Sequence, residues 1–401
     1  MQPLEGVRVV DCSHDLAGPH AGRLLADFGA DVIRIEYARR MDVLRGGRKD
    51  DRFYDKHPRW LQVNRGKRSL TLDFHRPDDV AIFKGLVRVS DVVLDNSRPG
   101  VLDRHGLGWE VLRALKPDLV MVVAPAYGCT GPEAHYGGYG ASIEALSGVE
   151  TLTAYERGGR PRRVREVDIT NGFVAACAVM TGLVWRQESG CGQLIEESQL
   201  EATIATLGGE HFLELVMSGT TTLPVGNRHP RFAPHGCYPC VGDDRWVTIA
   251  VRTDAEWTRL CGVIGRGDLA ADPGLASPAG RAARHAALDA SIAEWTRSRT
   301  PDEAMMALQA VGVPAGAVRD QAALATDPHL AARRWILEAE DGSGRYPGDP
   351  VRLSDGPARV HRRGPRLAEH QREIVCDLLA RPEGDVRIPA EEEIATAYEM
   401  E

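Results

Sequence analysis

The first half of the chain alternates short apolar runs with amphipathic stretches, a pattern typical of strands separated by helices. The apolar runs predict strands at residues 7–11, 31–36, 68–74, 91–95 and 119–125. The amphipathic stretches predict helices at 17–29, 78–89 and 109–115. Strands that alternate with helices indicate a parallel α/β sheet with right-handed crossovers.

The second half of the chain changes character after a long apolar helix that begins at Asp168. A strand at 193–197 and a helix at about 200–217 follow, and we expect residues 1–217 to form the N-terminal part of a large domain. The Gly/Thr/Pro-containing segment 218–225 predicts a linker. Residues 226–325 predict a smaller α+β domain, and 326–401 a second linker and a return to the large domain.

Asp168 follows a segment that is rich in arginine, namely Arg157, Arg160, Arg162, Arg163 and Arg165. Its helix is apolar on all sides, which predicts that the helix is buried and that Asp168 marks the entrance to a core. Aspartate is a preferred helix cap, and carboxylates also serve as covalent nucleophiles. The residues alone leave both interpretations open.

Composition excludes several classes of protein. The formal net charge is -8 and the pI is about 5.9, so the chain has no overall basic footprint for nucleic acid. No apolar run reaches membrane-span length and no signal peptide precedes the first strand, so we expect a cytoplasmic protein. Cys237 and Cys240 form a Cys-x-x-Cys pair, but a second pair is missing, and we predict no metal site.

A parallel α/β sheet binds ligands beyond the carboxyl ends of its strands. The chain has neither a Gly-x-Gly-x-x-Gly turn nor a phosphate-binding loop. Candidate contacts are instead the basic segment 64–69, the segment 95–104 and Tyr127 after the fifth strand. The glycine-rich turn 137–140 is a candidate source of backbone donors for an oxyanion.

An ordered set of short motifs resembles the class III CoA-transferases, the family of formyl-CoA transferase and carnitine CoA-transferase. The matching stretches are 4–11, 16–36, 64–73, 96–100, 168–172, 226–230 and 312–316. The resemblance implies a Rossmann-like large domain, a smaller α+β domain and an interlocked homodimer. It also implies an enzyme that transfers CoA from an acyl-CoA thioester to a carboxylic acid, with CoA as substrate and no tightly bound cofactor.

The resemblance further implies that Asp168 is the nucleophile and carries a covalent aspartyl intermediate. The positions that match the CoA contacts of the family are Leu16, Ala17, Leu72, Asn96, Ser97 and Arg104. Where members that act on formyl-CoA have glutamine and lysine, this chain has Leu16 and Pro125, which disfavours oxalate as acceptor. Tyr37 replaces a basic CoA contact, although Arg39 and Arg40 are near in sequence.

Two alternatives stay open. An α-methylacyl-CoA racemase shares the fold and the aspartate, but it needs two proton-transfer groups, and Tyr139 stands where racemases have histidine. Tyrosine, with a pKa near about 10, is a poor base at neutral pH. The second alternative is that the chain is a non-catalytic subunit, which joins a related subunit in a heteromeric transferase. The identity of the acids does not follow from the sequence.

Overall fold

A computed structural model of the chain describes residues 1–155, 159–160, 162–164 and 166–396. Arg157 and Arg165, from the predicted arginine-rich segment, lie outside the described residues. The chain divides into two compact units. The larger covers 1–150, 163–220 and the chain from 331, and the smaller covers 151–162 and 221–330.

A parallel sheet of six strands forms the centre of the larger unit. The strands are β1 (Arg8–Asp11), β2 (Asp31–Glu36), β3 (Arg68–Thr71), β4 (Val92–Asp95), β5 (Val120–Val123) and β6 (Gln193–Glu196). Their spatial order is β3-β2-β1-β4-β5-β6, and all neighbours are parallel. The predicted α/β fold class is confirmed, and the order reverses between β1 and β4, which is where such sheets bind ligands.

Helices connect the strands and extend the larger unit. They are α1 (Ala17–Asp27), α2 (Pro58–Val63), α3 (Pro77–Arg88), α4 (Trp109–Leu115), α5 (Gly140–Leu146), α6 (Val149–Leu152), α7 (Val167–Ser189), α8 (Gln199–Thr203) and α9 (Gly209–Ser218). The single helix predicted at 200–217 is wrong, because a π-helical turn at Ile204–Gly208 separates α8 from α9.

The smaller unit contains an antiparallel sheet with strands in the order β7-β8-β9. Its elements are β7 (His235–Pro239), β8 (Trp246–Ala250), α10 (Asp254–Val263), α11 (Gly267–Ala271), α12 (Pro278–Ala283), α13 (His285–Thr296), α14 (Pro301–Gln309), β9 (Ala315–Ala317), α15 (Gln321–Ala325) and α16 (Pro328–Ala332). A separate apolar core lies between this sheet and helices α10, α13 and α14.

The chain from residue 331 adds a hairpin to the larger unit. Its strands are β10 (Ile336–Glu338) and β11 (Arg345–Pro347), which pair antiparallel.

Short helical turns complete the described structure. The 3-10 turns lie at Ala38–Arg40, Val43–Arg45, Asp50–Asp55, Asp103–His105, Pro273–Leu275, Glu383–Asp385 and Glu391–Glu393, and a π-helical segment lies at Glu373–Leu378.

Each face of the six-stranded sheet has its own core. Helices α3 and α4 cover one face, where Phe83 and Leu112 pack on Val10 and Val93. Helices α1 and α7 cover the opposite face. Because α1 follows β1 and α7 lies between β5 and β6 of the same parallel sheet, both helices begin at the carboxyl edge of the strands. The N-terminus of α7 therefore lies at the edge where ligands bind.

Glycine lets α1 and α7 approach closely near that edge. A Cβ atom on Gly172 would lie 2.8 Å from the Ala17 carbonyl oxygen and 2.7 Å from Cδ2 of His20. Only a residue without a side chain fits this contact. Asp168 lies one turn before Gly172, so the contact brings Asp168 close to the loop that joins β1 to α1.

Helix α7 is buried along one stripe rather than on all sides, so the expectation of full burial is wrong for the chain alone. Ala175, Val179 and Leu183 pack against the sheet. On the opposite side Val184 is 58% exposed and Trp185 53% exposed, because no other part of the described chain covers that face. Among the described helices, α7 alone has the length and apolarity of a membrane span, which core helices of soluble proteins share.

Candidate active site at the carboxyl edge of the sheet

Asp168 is the second residue of α7 and does not cap it. The N-cap position belongs to Glu166, whose side chain makes no capping hydrogen bond. The Asp168 side chain is half-buried, and it makes no hydrogen bond or ion pair with the described residues. The helix terminus still favours a negative charge there. The sequence left open whether Asp168 caps the helix or acts as a nucleophile, and the structure does not place it in the capping position.

A glycine makes room for the Asp168 carboxylate. Gly140 is the first residue of α5, and a Cβ atom on it would lie 2.8 Å from Oδ2 of Asp168. In contrast, nothing lies within 4 Å of the corresponding position on Gly137. Within the predicted glycine-rich turn, Gly140 is thus the member that contacts the carboxylate. The role of this turn as an oxyanion donor stays a prediction.

Three effects set the acidity of Asp168. Burial is the largest and raises the pKa of its carboxyl group, and the negative charge of Glu144 raises it further. The positive charge of Arg163 opposes both. Glu144 lies in α5 with a side chain only 1% exposed, and Nε of Arg163 donates to its Oε2 at 3.0 Å. Glu144 was not among the site residues predicted from the sequence.

The loop after β1 contributes a second carboxyl group that sequence reasoning missed. Asp15 has a left-handed backbone with φ of 61°, which is uncommon for a residue other than glycine. Its backbone N–H donates to Oδ2 of Asp42 at 3.0 Å. Burial, then the charge of Asp42 and also that of Asp168, raise the pKa of Asp15 to about 6. Its position directly after the first strand was the available signal.

Asn96 joins the two strands at the switch point. Its Oδ1 accepts from the backbone N–H of His14 at 2.6 Å, and its Nδ2 donates to the His14 carbonyl at 2.8 Å. The side-chain amide therefore holds the loop after β1 to the loop after β4. Ser97 is half-buried beside it, and its backbone N–H donates a hydrogen bond to Oδ1 of Asp95. Arg104 is exposed in the turn that follows.

The basic segment 64–69 is not a ligand loop, contrary to the sequence-based expectation. Lys67 is fully buried, and its Nζ donates to Oδ2 of Asp11 at 2.8 Å. Arg65 makes two hydrogen bonds to Asp27, at 3.1 and 2.7 Å. Arg68 is also mostly buried and is paired with Asp31. These cations are internal partners of carboxylates and have no solvent-facing charge to offer a phosphate.

The remaining predicted contacts lie along the same edge but differ in exposure. Leu16 is half-buried, and Ala17 and Leu72 are buried. Tyr127 is buried in a small cluster with Ile143 and Val167, directly beneath the start of α7. Tyr127 thus supports the segment that carries Asp168, whereas its expected contact with CoA stays a prediction.

Aromatic rings lie next to Leu72 at the ends of β2 and β3. The rings of Tyr37 and His75 are 6.2 Å apart, and those of His75 and His105 are 5.1 Å apart. Arg39 and Arg40 are both exposed, and Arg39 pairs with Glu393 at 3.4 Å. The histidine pair was not singled out from the sequence. Exposed aromatic and basic groups of this kind suit a nucleotide-containing ligand.

Comparison with known proteins gives this arrangement a family. The model of CoA-transferase family III matches residues 4–371, which is nearly the whole chain. The chain belongs to CoA-transferase family III. The predicted family membership is therefore confirmed, and the chain is an enzyme of the class that transfers CoA.

Individual relatives agree with this family. The chain is 36% identical over 392 residues, 96% of each chain, to succinyl-CoA–D-citramalate CoA-transferase of Chloroflexus aurantiacus. It is 32% identical to the beta subunit of succinyl-CoA–L-malate CoA-transferase from the same organism, over 94% of each chain. A CAIB/BAIF family protein from Brucella suis has a similar structure, with a TM-score of 0.85, 31% identity and coverage of 94% and 99%.

Proposed function

We propose that the chain moves CoA from an acyl-CoA thioester to a carboxylic acid through a covalent intermediate on Asp168. One observation carries this proposal. Asp168 is a half-buried carboxylate without a partner among the described residues, and Gly140 makes room for it at the ligand-binding edge of the sheet. A scaffold carboxylate in such a place is normally paired, and a nucleophile needs its oxygen unoccupied.

The reaction would proceed through carbonyl substitutions that balance without an added proton donor. Ionised Asp168 attacks the thioester carbonyl, so that an acyl-aspartyl anhydride forms and CoA thiolate leaves. The thiolate attacks the aspartyl carbonyl, which releases the first acid as its carboxylate and leaves CoA as a thioester on Asp168. The acceptor carboxylate attacks that thioester to give a second anhydride and thiolate. Attack of the thiolate on the acceptor carbonyl forms the new acyl-CoA and frees Asp168.

Burial of the carboxylate supports its role as nucleophile. Partial removal of water raises the energy of the ionised form relative to bulk water, in line with the raised pKa of Asp168. Arg163 limits this effect and favours the ionised state. Backbone N–H groups of the turn 137–140 are the proposed donors to the oxyanion that develops during each attack.

We propose that CoA lies along the carboxyl edge of the sheet. Leu16, Ala17 and Leu72 would provide apolar contact, and exposed Arg104 would pair with phosphate. Ser97 and Tyr127 complete the proposed set. Asn96 would act indirectly, because both ends of its amide already hold the backbone of His14. The names of both relatives favour succinyl-CoA as the donor.

We infer that the working enzyme is an interlocked homodimer in the cytoplasm. The outward face of α7 and most of α9 are apolar and exposed, with Phe212, Val216 and Met217 between 59% and 78% exposed. A continuous exposed apolar face of this kind usually packs against another protein surface. The segments 218–225 and 325–345 would be the connections that thread through the partner. A related second subunit is the alternative, because one relative is a beta subunit.

Light scattering on the purified chain tests this assembly. A mass of two chains supports the homodimer, and a monomer that becomes active only with a related chain supports the heteromer. Trp185→Lys, on the exposed face of α7, should weaken the dimer. Thr206→Lys, on the exposed side of the π-helical turn, serves as a matched comparison.

Asp168→Asn is the test of the proposed chemistry. An amide cannot form the anhydride, so turnover with succinyl-CoA and a panel of acids should vanish while the unfolding midpoint changes little. Asp51→Asn, at an exposed aspartate, should retain full turnover. Full activity of Asp168→Asn would refute the mechanism. Exchange of the α-proton of an acyl-CoA with deuterium, in the absence of any acid, would favour a racemase instead.

A further inference from the structure

The ion pair between Glu144 and Arg163 lies beside the proposed nucleophile and has an unusual asymmetry. The Glu144 side chain is 1% exposed, whereas that of Arg163 is 45% exposed. The buried carboxylate therefore anchors a cation that reaches toward solvent. An ordinary surface ion pair exposes both partners, and an ordinary buried pair hides both.

The geometry of the guanidinium leaves its binding side open. Nε of Arg163 donates to Glu144, while its two terminal nitrogens make no hydrogen bond with the described part of the chain. Those terminal nitrogens can bind a carboxylate in a forked arrangement. Because one edge is fixed by Glu144, less side-chain freedom is lost when the other groups bind a ligand.

The ion pair is also close to Asp168. Gly140 contacts the Asp168 carboxylate, and Glu144 lies four residues later on the same face of α5. Four residues of helix correspond to about 6 Å, so the anchor for Arg163 is about one turn from the nucleophile. The charges of both Glu144 and Arg163 act on the Asp168 carboxyl group, so the guanidinium lies close enough for the far carboxylate of a short dicarboxylic acid to reach it.

Two buried cations at this edge are already committed. Arg34 pairs with Asp42 at 2.7 Å, and Lys67 pairs with Asp11. Both are almost completely buried. Arg40 and Arg104 are also exposed along this edge, but among the described residues Arg163 is the cation whose charge acts on Asp168, and its terminal nitrogens are unoccupied.

We propose that Arg163, oriented by Glu144, binds the far carboxylate of a dicarboxylic acyl group, so that this site selects short dicarboxylic acids over monocarboxylic ones. The proposal rests on the proposed CoA transfer at Asp168 and specifies the substrate class of that same site. Citramalic and malic acids, which occur in the names of two relatives, are both dicarboxylic acids. In this account Arg163 binds substrate and Glu144 is a positioning residue.

Specificity constants for paired acceptors test the proposal. With succinyl-CoA as donor, Arg163→Gln should lower kcat/KM for succinate, as isotopically labelled acid, and for glutarate by about 10- to 100-fold, the equivalent of one lost charged hydrogen bond or ion pair. Neither propionyl-CoA nor butyrate has a second charge, so kcat/KM for this pair should fall only as far as Arg163 favours the ionised form of Asp168. Assays near pH 8, where Asp168 is ionised with or without Arg163, remove that shared effect, and the loss for this pair should then stay below about threefold. Arg162→Gln removes an exposed neighbouring arginine and should leave kcat/KM unchanged for the dicarboxylic acids and for the monocarboxylic pair.

The remaining outcomes also decide the question. Arg163→Lys should recover part of the dicarboxylate preference, because it keeps the charge but loses the fork. Glu144→Gln should reduce the preference without abolishing turnover of the monocarboxylic pair. An equal loss for both acid classes, or no loss for either, would overturn the proposal.

Direct binding separates this proposal from the proposed chemistry. Asp168→Asn should end turnover of both acid classes but keep succinate binding, as measured by calorimetry on the full chain. If wild-type protein transfers no CoA, succinate binding that is lost in Arg163→Gln would still support the dicarboxylate site. Succinate binding that is absent, or equal in wild type and Arg163→Gln, would refute it.

Discussion

Two aspartates at the same edge of the sheet have opposite environments. Asp11 ends β1 and is fully buried, yet the charges of Lys67 and Arg34 outweigh the effect of burial and lower the pKa of its carboxyl group. Asp168 begins α7 and is only half-buried. Burial and Glu144 nevertheless raise the pKa of Asp168, because Arg163 only partly offsets them.

The difference separates scaffold from chemistry. Asp11 accepts hydrogen bonds from Lys67, Arg34 and the hydroxyl of Ser13. Its oxygens are therefore occupied, and it fixes the loop after β1. Asp168 has its oxygens unoccupied by the described residues. A buried charge with partners stabilises a conformation, whereas one without partners is available to react.

The largest expected effect is the loss of stability in Lys67→Met. The change leaves Asp11 buried without its nearest cation, and the free energy of unfolding should fall by about 3–5 kcal/mol. Chemical denaturation of the full chain measures this effect. Arg48→Ala breaks an ion pair in which both side chains are 64% exposed and should leave the midpoint unchanged. Equal losses in the two variants would remove the distinction between scaffold and surface pairs.

Glu197 extends the contrast to a carboxyl group that is buried without a partner among the described residues. Both of its oxygens are buried and make no hydrogen bond with that part of the chain, and burial raises its pKa to about 8. An unfolded glutamate has a pKa of about 4.3, so the folded state retains a proton that the unfolded state has lost near neutral pH. The stabilising contribution is complete below pH of about 4.3 and is lost as the pH rises through about 8.

Glu197→Gln should therefore stabilise the chain at neutral pH. The amide stays neutral in both states, so the free energy of unfolding should rise by about 4 kcal/mol at pH 7.5 and hardly change at pH 4. Denaturation curves at the two pH values measure the difference. Glu201→Gln, at an exposed glutamate of the same region, should show neither effect. A stability gain that is the same at both pH values would contradict the account.

Gly140→Ala tests the space that the Asp168 carboxylate occupies. The added Cβ would meet Oδ2 at 2.8 Å, and the flexible aspartate can move away, so the fold should tolerate the change. The displaced nucleophile should reduce kcat by about 10- to 100-fold. Steady-state kinetics measure this loss. Gly137→Ala adds its Cβ to open space in the same turn, and it should keep kcat within about twofold of wild type if position is the cause.

The smallest expected effect concerns the acidic limb of the pH profile. Asp168 must be ionised to attack, and its pKa is raised, so activity should fall as the pH falls through that pKa. Glu144→Gln removes the negative charge that helps to raise this pKa. The limb should move to lower pH by about half a unit. Glu110→Gln, at a glutamate whose side chain is 80% exposed, should not move it.

Much of the sheet was predictable because its signals are local. Strand β2 and helix α4 match the predicted bounds, since apolar periodicity and flanking turn residues specify both of them. Family motifs also pointed to Asp168. The ordered strands then placed its helix at the carboxyl edge, where a parallel sheet binds ligands.

The errors share a dependence on distant partners. The basic segment 64–69 was taken as a candidate ligand loop because Asp11 and Asp27, which neutralise it, lie 56 and 38 residues away from Lys67 and Arg65. The outward face of α7 was expected to be buried because periodicity cannot distinguish a helix covered by its own chain from one left open. The left-handed backbone of Asp15 depends on tertiary contacts with Asp42.

The central claim is that Asp168 becomes covalently bonded during turnover, and peptide mapping by mass spectrometry tests it most directly. Purified chain is incubated with succinyl-CoA, quenched in acid and digested, and the peptide that contains residue 168 is examined for a CoA thioester. The account predicts this adduct on Asp168 in wild type, its loss when an acceptor acid is added, and its absence from Asp168→Asn. An adduct on a different residue, or turnover with no adduct on Asp168, would contradict the account.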